Sequence, residues 1–326
     1  MTETRADRDV FDEIREACRS VAAEAQFVRI EEERVSTYAQ SLEGNIGRPP
    51  DLDAERHYVG DQETTTAYFV ALDAINFGSG YFPHLRKKPE MSGYYTIASA
   101  LADRFRREGP IGATDLAAIS AAGCAKLFGQ QDVEGPIREL MALFAQSWND
   151  LGRDLVERFE GRFTYLVEAA GNSATRLVEL LHKQPMFRDE ALYRDMLVPF
   201  YKRAQILASD LALALDGRGF GRFDDLQKLT IFADNLVPHV LRLDGILTYD
   251  RNLLDRIEGG DLLAAGSEEE IEIRACAVHA VELVAENLRL TNAQTTSRDL
   301  DILLWTRGQR PEYKAHPRHR TRSPFY

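Results

Sequence analysis

The chain reads as a mostly all-α protein with few or no short strands, and three observations lead there. Apolar residues recur three and four positions apart along most of the 326 residues. Helix-start chemistry stands in front of the apolar runs. Alternating runs of the kind that build strands are few.

In chain order, Val10, Phe11, Ile14, Ala17, Cys18 and Val21 make one apolar stripe and predict an amphipathic helix. Gly44 to Asp53 reads as a loop. Ala67 to Ile75 is rich enough in β-branched and aromatic residues to leave helix and short strand both open. Gly78 to Gly93 reads as a second loop. From Leu155 to Leu181 the helical period runs on through Phe159, Phe163, Leu166, Val167, Ala170, Ala174 and Leu177. Pro199 suits a first helical turn ahead of the run from Phe200 to Leu215. Gly217, Gly219 and Gly221 alternate just beyond it and predict a loop. Ser267 and Glu270 are spaced as a capping box opening a helix through Ile273, Ala277 and Val281. No internal repeat is visible. We read one helical unit over 1–326, with a division into two lobes around a cleft left open.

Hydrophobic residues make up 44% and charged residues 28%, enough for a packed core beneath a charged surface. No apolar run approaches the ~18 residues of a bilayer span, so no membrane partner is expected. The first twenty residues mix acids into an amphipathic pattern and lack the basic-then-apolar order of a signal peptide. Cys18, Cys124 and Cys276 stand far apart without a CxxC, which suits neither a disulfide framework nor a zinc site and points to a reducing cytoplasm. A net charge of -12 argues against grip on intact nucleic acid, which needs Lys and Arg to neutralise phosphates. Lys314 to Tyr326 is the exception, with Lys314, Arg318, Arg320 and Arg322 and no acid. It is either a solvated basic tail or a segment folded back over a site for one phosphate.

Several chemistries lack their motif. There is no GxxxxGK[ST], no GxGxxG after a strand and no HExxH. His316 and His319 lie in a Pro/Arg-rich tail and are not expected to ligate a metal. Neither a metal nor a cofactor is called for.

What remains is a set of polar residues in aromatic or apolar settings. Phe232 and Asp234 lie two apart in LTIFADNLVPHVLRLDGIL: a ring can stack on a flat heterocycle while a carboxylate accepts from its N–H groups. Asp234 reads equally as a helix N-cap. Asp301, in SRDLDILLWTRG, is either a functional carboxylate or an exposed first-turn acid stabilised by the helix dipole. Lys202 and Arg203 are a solvated face or a phosphate clamp. Asn76 with Phe77, and Tyr94 with Tyr95, are helix-end and turn residues or pocket lining. His57 alone reads as surface, core or site.

Taken together, INF (75–77), SGYYTIASAL (92–101), FYKRAQIL (200–207), LTIFAD with VP (229–238), EIEIRA (270–275), LDILLW (300–305) and the terminal HRTRSPFY resemble, in order, the queuosine salvage proteins. The likeness runs from about residue 57 to the end. It implies an all-α fold related to the helix-hairpin-helix DNA glycosylases. It implies hydrolysis of the N-glycosidic bond of queuosine 5'-monophosphate to queuine and ribose 5-phosphate, without metal or cofactor. Matching positions put His57, Phe232, Asp234 and Asp301 in the base and ribose site, with Asp301 and Asp234 the catalytic candidates, and Lys202 on the phosphate. Asn76, Phe77, Tyr94, Tyr95, Asn235, Ile302 and Thr306 join them as candidate substrate contacts. Asn235, Leu236, His239, Tyr95 and Thr306 depart from the residues usual at their positions in that family, which bears on substrate preference.

Cleaving an N-ribosyl bond builds positive charge at C1' and O4', which a carboxylate stabilises. A 7-deazapurine has carbon in place of N7, so protonation there is closed to it. Asp301 is assigned to the ribose as electrostatic partner, nucleophile or orienter of the attacking water, and Asp234 to the base as acceptor or, if protonated, as donor. A non-catalytic binding protein for queuine or a related nucleoside is the alternative; it would need Phe232 and Asp234 but no second carboxylate.

Overall fold

The stripe from Val10 to Val21 folds as the helix Val10–Glu24, with Val10, Phe11, Ile14, Ala17, Cys18 and Val21 buried. Asp9 and Asp12 close a capping box at its start, so two otherwise unpaired backbone donors are satisfied. The structure, a computed structural model, describes residues 8–46, 52–291 and 294–326. Helices dominate these residues, and the strands are two to four residues long. Of the loop expected at Gly44 to Asp53, residues 47–51 lie outside them, and Gly44 and Asn45 fall in a 3-10 turn. Contacts divide the chain into two compact units, one of 1–49, 189–202 and 227–322, the other of 50–188, 203–226 and 323–326.

The first unit is organised on the helix Glu268–Arg289, buried on most of its faces and packed by Val10–Glu24 and Glu32–Leu42. Glu272, fully buried in that helix, accepts the backbone N–H groups of Gln26, Phe27 and Val28 and the Tyr193 hydroxyl. Four donors on one carboxylate offset the cost of burying its charge and fix the turn into the strand Val28–Ile30. That strand pairs antiparallel with Leu247–Tyr249. A hairpin joins Glu190–Tyr193 to Met196–Pro199, and Leu262–Leu263 pairs parallel with Arg320–Thr321.

Two local expectations change here. Pro199 is not in a helical turn: it ends a strand, opposite Glu190, where a missing N–H costs little. The chain turns at Tyr201, in the left-handed region at φ 48°, and the helix begins at Lys202. Ser267 accepts the Glu270 N–H, but the Glu270 carboxylate takes the N–H of Gly266 rather than that of Ser267. Half of the capping box forms.

In the second unit the ambiguous stretch is helical, within Gln62–Ala74, and every residue from Thr65 to Ala74 is buried. Trp148 donates its indole N–H to Ala71 O at 2.8 Å. The long periodic block is not one helix. It lies in Pro136–Arg158, Phe163–Ala169 and Ala174–Leu181, broken where Glu160, Gly161, Gly171 and Asn172 take positive φ. Left-handed residues end a helix without disturbing the apolar spacing, so periodicity alone cannot see the breaks. Gly217 and Gly219 also take positive φ, in the loop expected of them.

Candidate active site

Between a short 3-10 turn at Leu226–Lys228 and the helix Val237–Leu243, the chain carries no regular structure. Its backbone donors and acceptors must therefore find other partners. Leu229 through Ala233 are buried, and the groups that hold them make up the site.

Asp301 is the first. Thr296 and Asp299 form a capping box that starts the helix Ser297–Gly308. Leu300 and Leu304 turn into the core, and Asp301 is buried beside them, 4% exposed. An exposed first-turn acid is thereby ruled out. Asp301 Oδ1 accepts the Phe232 N–H at 2.8 Å. Burial pushes its carboxyl up to about 8, and the negative charge of Asp234 adds to the shift. The Phe232 N–H, Lys202 and Arg298 act against it. At neutral pH the side chain holds its proton, and it ionises close to the working range.

Asp234 is half-buried. Its Oδ1 accepts from the N–H of Leu236 at 2.6 Å and of Val237 at 3.3 Å, so it holds the turn that leads into the following helix. It is not the helix N-cap, which is Leu236 with no side-chain cap bond, and its Oδ2 faces no bond in that turn. Asn235 is buried and donates through Nδ2 to His319 O at 3.2 Å. The basic tail is therefore folded against the Asp234–Asn235 strip. Arg318, the residue before His319, is held down by burial and raised by Asp234. Burial and surrounding cations lower His319 to about 3, so it is neutral.

Lys202 is 5% exposed, its backbone N–H bound to Asp189 Oδ2 at 3.1 Å. Its charge favours the ionised form of Asp301. Neither Lys202 nor Arg203 lies on a solvated face. Ile302 is half-buried and Thr306 is exposed, both on the Asp301 helix.

The second unit holds the other candidates. His57 is buried, with Nδ1 at 3.0 Å from Asp53 O and Nε2 at 2.9 Å from the Tyr94 hydroxyl. A carbonyl only accepts, so the proton sits on Nδ1 and Tyr94 donates to Nε2. Burial lowers the His57 pKa, which keeps the ring neutral. Tyr95 lies 6.1 Å from the His57 ring and beneath the Arg56 guanidinium at 4.5 Å. Asn76, just past its helix end, donates to Asp73 Oδ1 at 3.1 Å. Phe77 packs edge-on to Phe144 at 5.1 Å and carries Arg203 over its other side at 4.8 Å.

The structure thus gathers Lys202, Phe232, Asp234, Asn235 and Asp301 in one unit. It gathers His57, Tyr94 and Tyr95 in the other. Sequence reasoning named Arg318 only as part of the basic tail and passed over Arg274. The visible signal for Arg274 was a cation among the apolar residues of EIEIRA. Among the described residues no three His, Cys, Asp or Glu side chains cluster at metal-binding spacing.

A helical protein in which a strip bearing an aromatic ring and a carboxylate lies against a second, buried carboxyl from a helix has the makings of a hydrolase. Residues 56–326 match the family model described as queuosine salvage protein, and the chain belongs to that family. It is 39% identical over 313 residues to the queuosine 5'-phosphate N-glycosylase/hydrolase of Sphaerobacter thermophilus, covering 94% of this chain and 96% of that protein. Proteins of the same name from Dictyostelium discoideum and Mus musculus are 32% and 34% identical, over 85% and 72% of this chain and 83% and 72% of their own lengths.

Proposed function

We propose that this chain hydrolyses the N-glycosidic bond of queuosine 5'-phosphate, releasing queuine and ribose 5-phosphate. The single observation that carries the reading on the structural side is Asp301: a buried carboxyl, anchored on the backbone of the stacking residue and poised near its ionisation point. A mere binding site has no use for a costly buried acid at that place. The name shared by relatives that match nearly the whole chain supports the same reaction.

In the mechanism, Phe232 stacks on the 7-deazaguanine and Asp234 accepts from its N–H edge. The C1'–N bond breaks with its electron pair leaving on the base. Positive charge spreads over C1' and O4', and Asp301 stabilises it in its ionised form. Water adds its oxygen to C1', and its proton offsets the negative charge left on the base. Lys202 balances the 5'-phosphate. The two units make up one catalytic domain, since the family match runs through segments of both. For His57, Asn76, Phe77, Tyr94, Tyr95, Asn235, Ile302 and Thr306, the role of substrate contact rests on the resemblance. So does kinship with the helix-hairpin-helix glycosylases.

The test is direct: incubate purified protein with queuosine 5'-monophosphate and follow free queuine by chromatography. Release of queuine is expected. Binding of queuine without release would leave only the carrier reading.

A further inference from the structure

The motif EIEIRA has no part in the chemistry above, yet its arginine reaches the backbone between the two base-recognition residues. Arg274 is 2% exposed. Its Nε donates to Ala233 O at 2.9 Å, the carbonyl between Phe232 and Asp234. Its other two nitrogens fork onto Asp189, Nη1 to Oδ1 at 3.0 Å and Nη2 to Oδ2 at 2.7 Å. The guanidinium lies over the Phe200 ring, 3.9 Å from its centre. Asp189 in turn accepts the Lys202 N–H through Oδ2, and its own carbonyl accepts those of Phe200 and Tyr201. Tyr201 sits between these anchors in the left-handed conformation that a tyrosine rarely adopts. One planar cation therefore joins the strip that aims Phe232 and Asp234 to the turn that launches Lys202.

We propose that Arg274 is a positioning residue that sets the distance between the base end and the phosphate end of the substrate site. The inference rests on the function proposed above and adds to it a determinant of specificity. A rigid fork fixes both distance and angle, whereas a lysine at the same place supplies charge without either. If the two ends slip, a substrate held at base and phosphate cannot reach both. The 5'-phosphate then stops contributing to catalysis. Misplacement of about 1 Å is enough for a large loss of rate.

The experiment compares kcat/KM for queuosine 5'-monophosphate and for the free nucleoside in the parent and in Arg274→Lys, with circular dichroism to establish folding. The expected result is a monophosphate-to-nucleoside ratio reduced by about tenfold or more. In a Lys202→Ala background, Arg274→Lys should change the ratio no further, because the group it aligns is gone. A purely structural role would lower the active fraction and leave the ratio at the parent's value, which overturns the proposal. Should Arg274→Lys not fold, Asp189→Asn weakens the same fork at constant size, and the ratio read there decides in the same two ways. A parent without turnover on either substrate would instead overturn the hydrolase reading, so the two failures are distinguishable.

Discussion

The Phe232 backbone N–H and the Asp301 carboxyl meet at 2.8 Å, both buried, across 69 residues of chain. This bond seats the acid of one helix against the strip that carries Phe232, the ring proposed to stack on the base. Because it comes from backbone, side-chain changes at position 232 other than to proline leave it in place. The placement of Asp301 and the identity of residue 232 can therefore be varied separately.

Asp301→Asn keeps an acceptor for that bond and removes the ionisable proton, so no carboxylate can form. Turnover should fall by about a thousandfold or more while queuine binding persists, as measured by product release and calorimetry. Stability should move the other way. The folded-state pKa of Asp301, about 8, lies above its ordinary value of 3.8. The folded protein keeps a proton that the unfolded chain releases. This contribution is complete below pH 4 and lost as pH rises to about 8. Asparagine has no proton to release, so the variant should melt a few degrees higher than the parent at neutral pH, with the difference shrinking toward pH 4. Equal melting curves at pH 7 would contradict the buried acid.

The rate profile has a definite sign as well. If Asp301 acts as the carboxylate, kcat/KM of the parent rises with pH and levels off above about 8. A profile that falls above that pH would make Asp301 a proton donor and reverse its role.

Asp234→Asn separates recognition from turn formation. Asparagine holds such a turn as well as aspartate does, so stability should change by less than about 0.5 kcal/mol. The charge-assisted bond proposed to the base is lost, and KM should rise by about ten- to a hundredfold. A large drop in melting temperature with unchanged KM would reduce Asp234 to its turn.

Tyr94→Phe removes the donor to His57 Nε2 and leaves a buried ring nitrogen unsatisfied. A loss of about 1–3 kcal/mol in chemical denaturation is expected. Loss of activity without loss of stability would place the pair on the substrate.

The three cysteines offer a simple control. Cys18, Cys124 and Cys276 are all buried, and burial raises each thiol, Cys124 to about 12. The native protein should resist alkylation at neutral pH, and mass spectrometry after brief iodoacetamide exposure checks it.

The helical class, the stripe from Val10 to Val21 and the family were legible in the sequence alone. Each rests on local spacing or on short motifs kept in order. Phe232, Asp234 and Asp301 could be named from the same motifs. The tertiary structure decided what the sequence left open or misplaced. It buried Asp301 and so moved its ionisation toward neutrality, and it put Asp234 in the turn ahead of a helix instead of at its N-cap. It folded the basic tail against Asn235 through the carbonyl of His319. It put Pro199 at a strand end and split the block from Leu155 to Leu181 at left-handed residues. It also tied Arg274 to Ala233 and Asp189. The reason is common to all of these. Periodicity records which face of an element is apolar, whereas burial, ionisation and backbone pairing depend on which distant residues come to lie against that face.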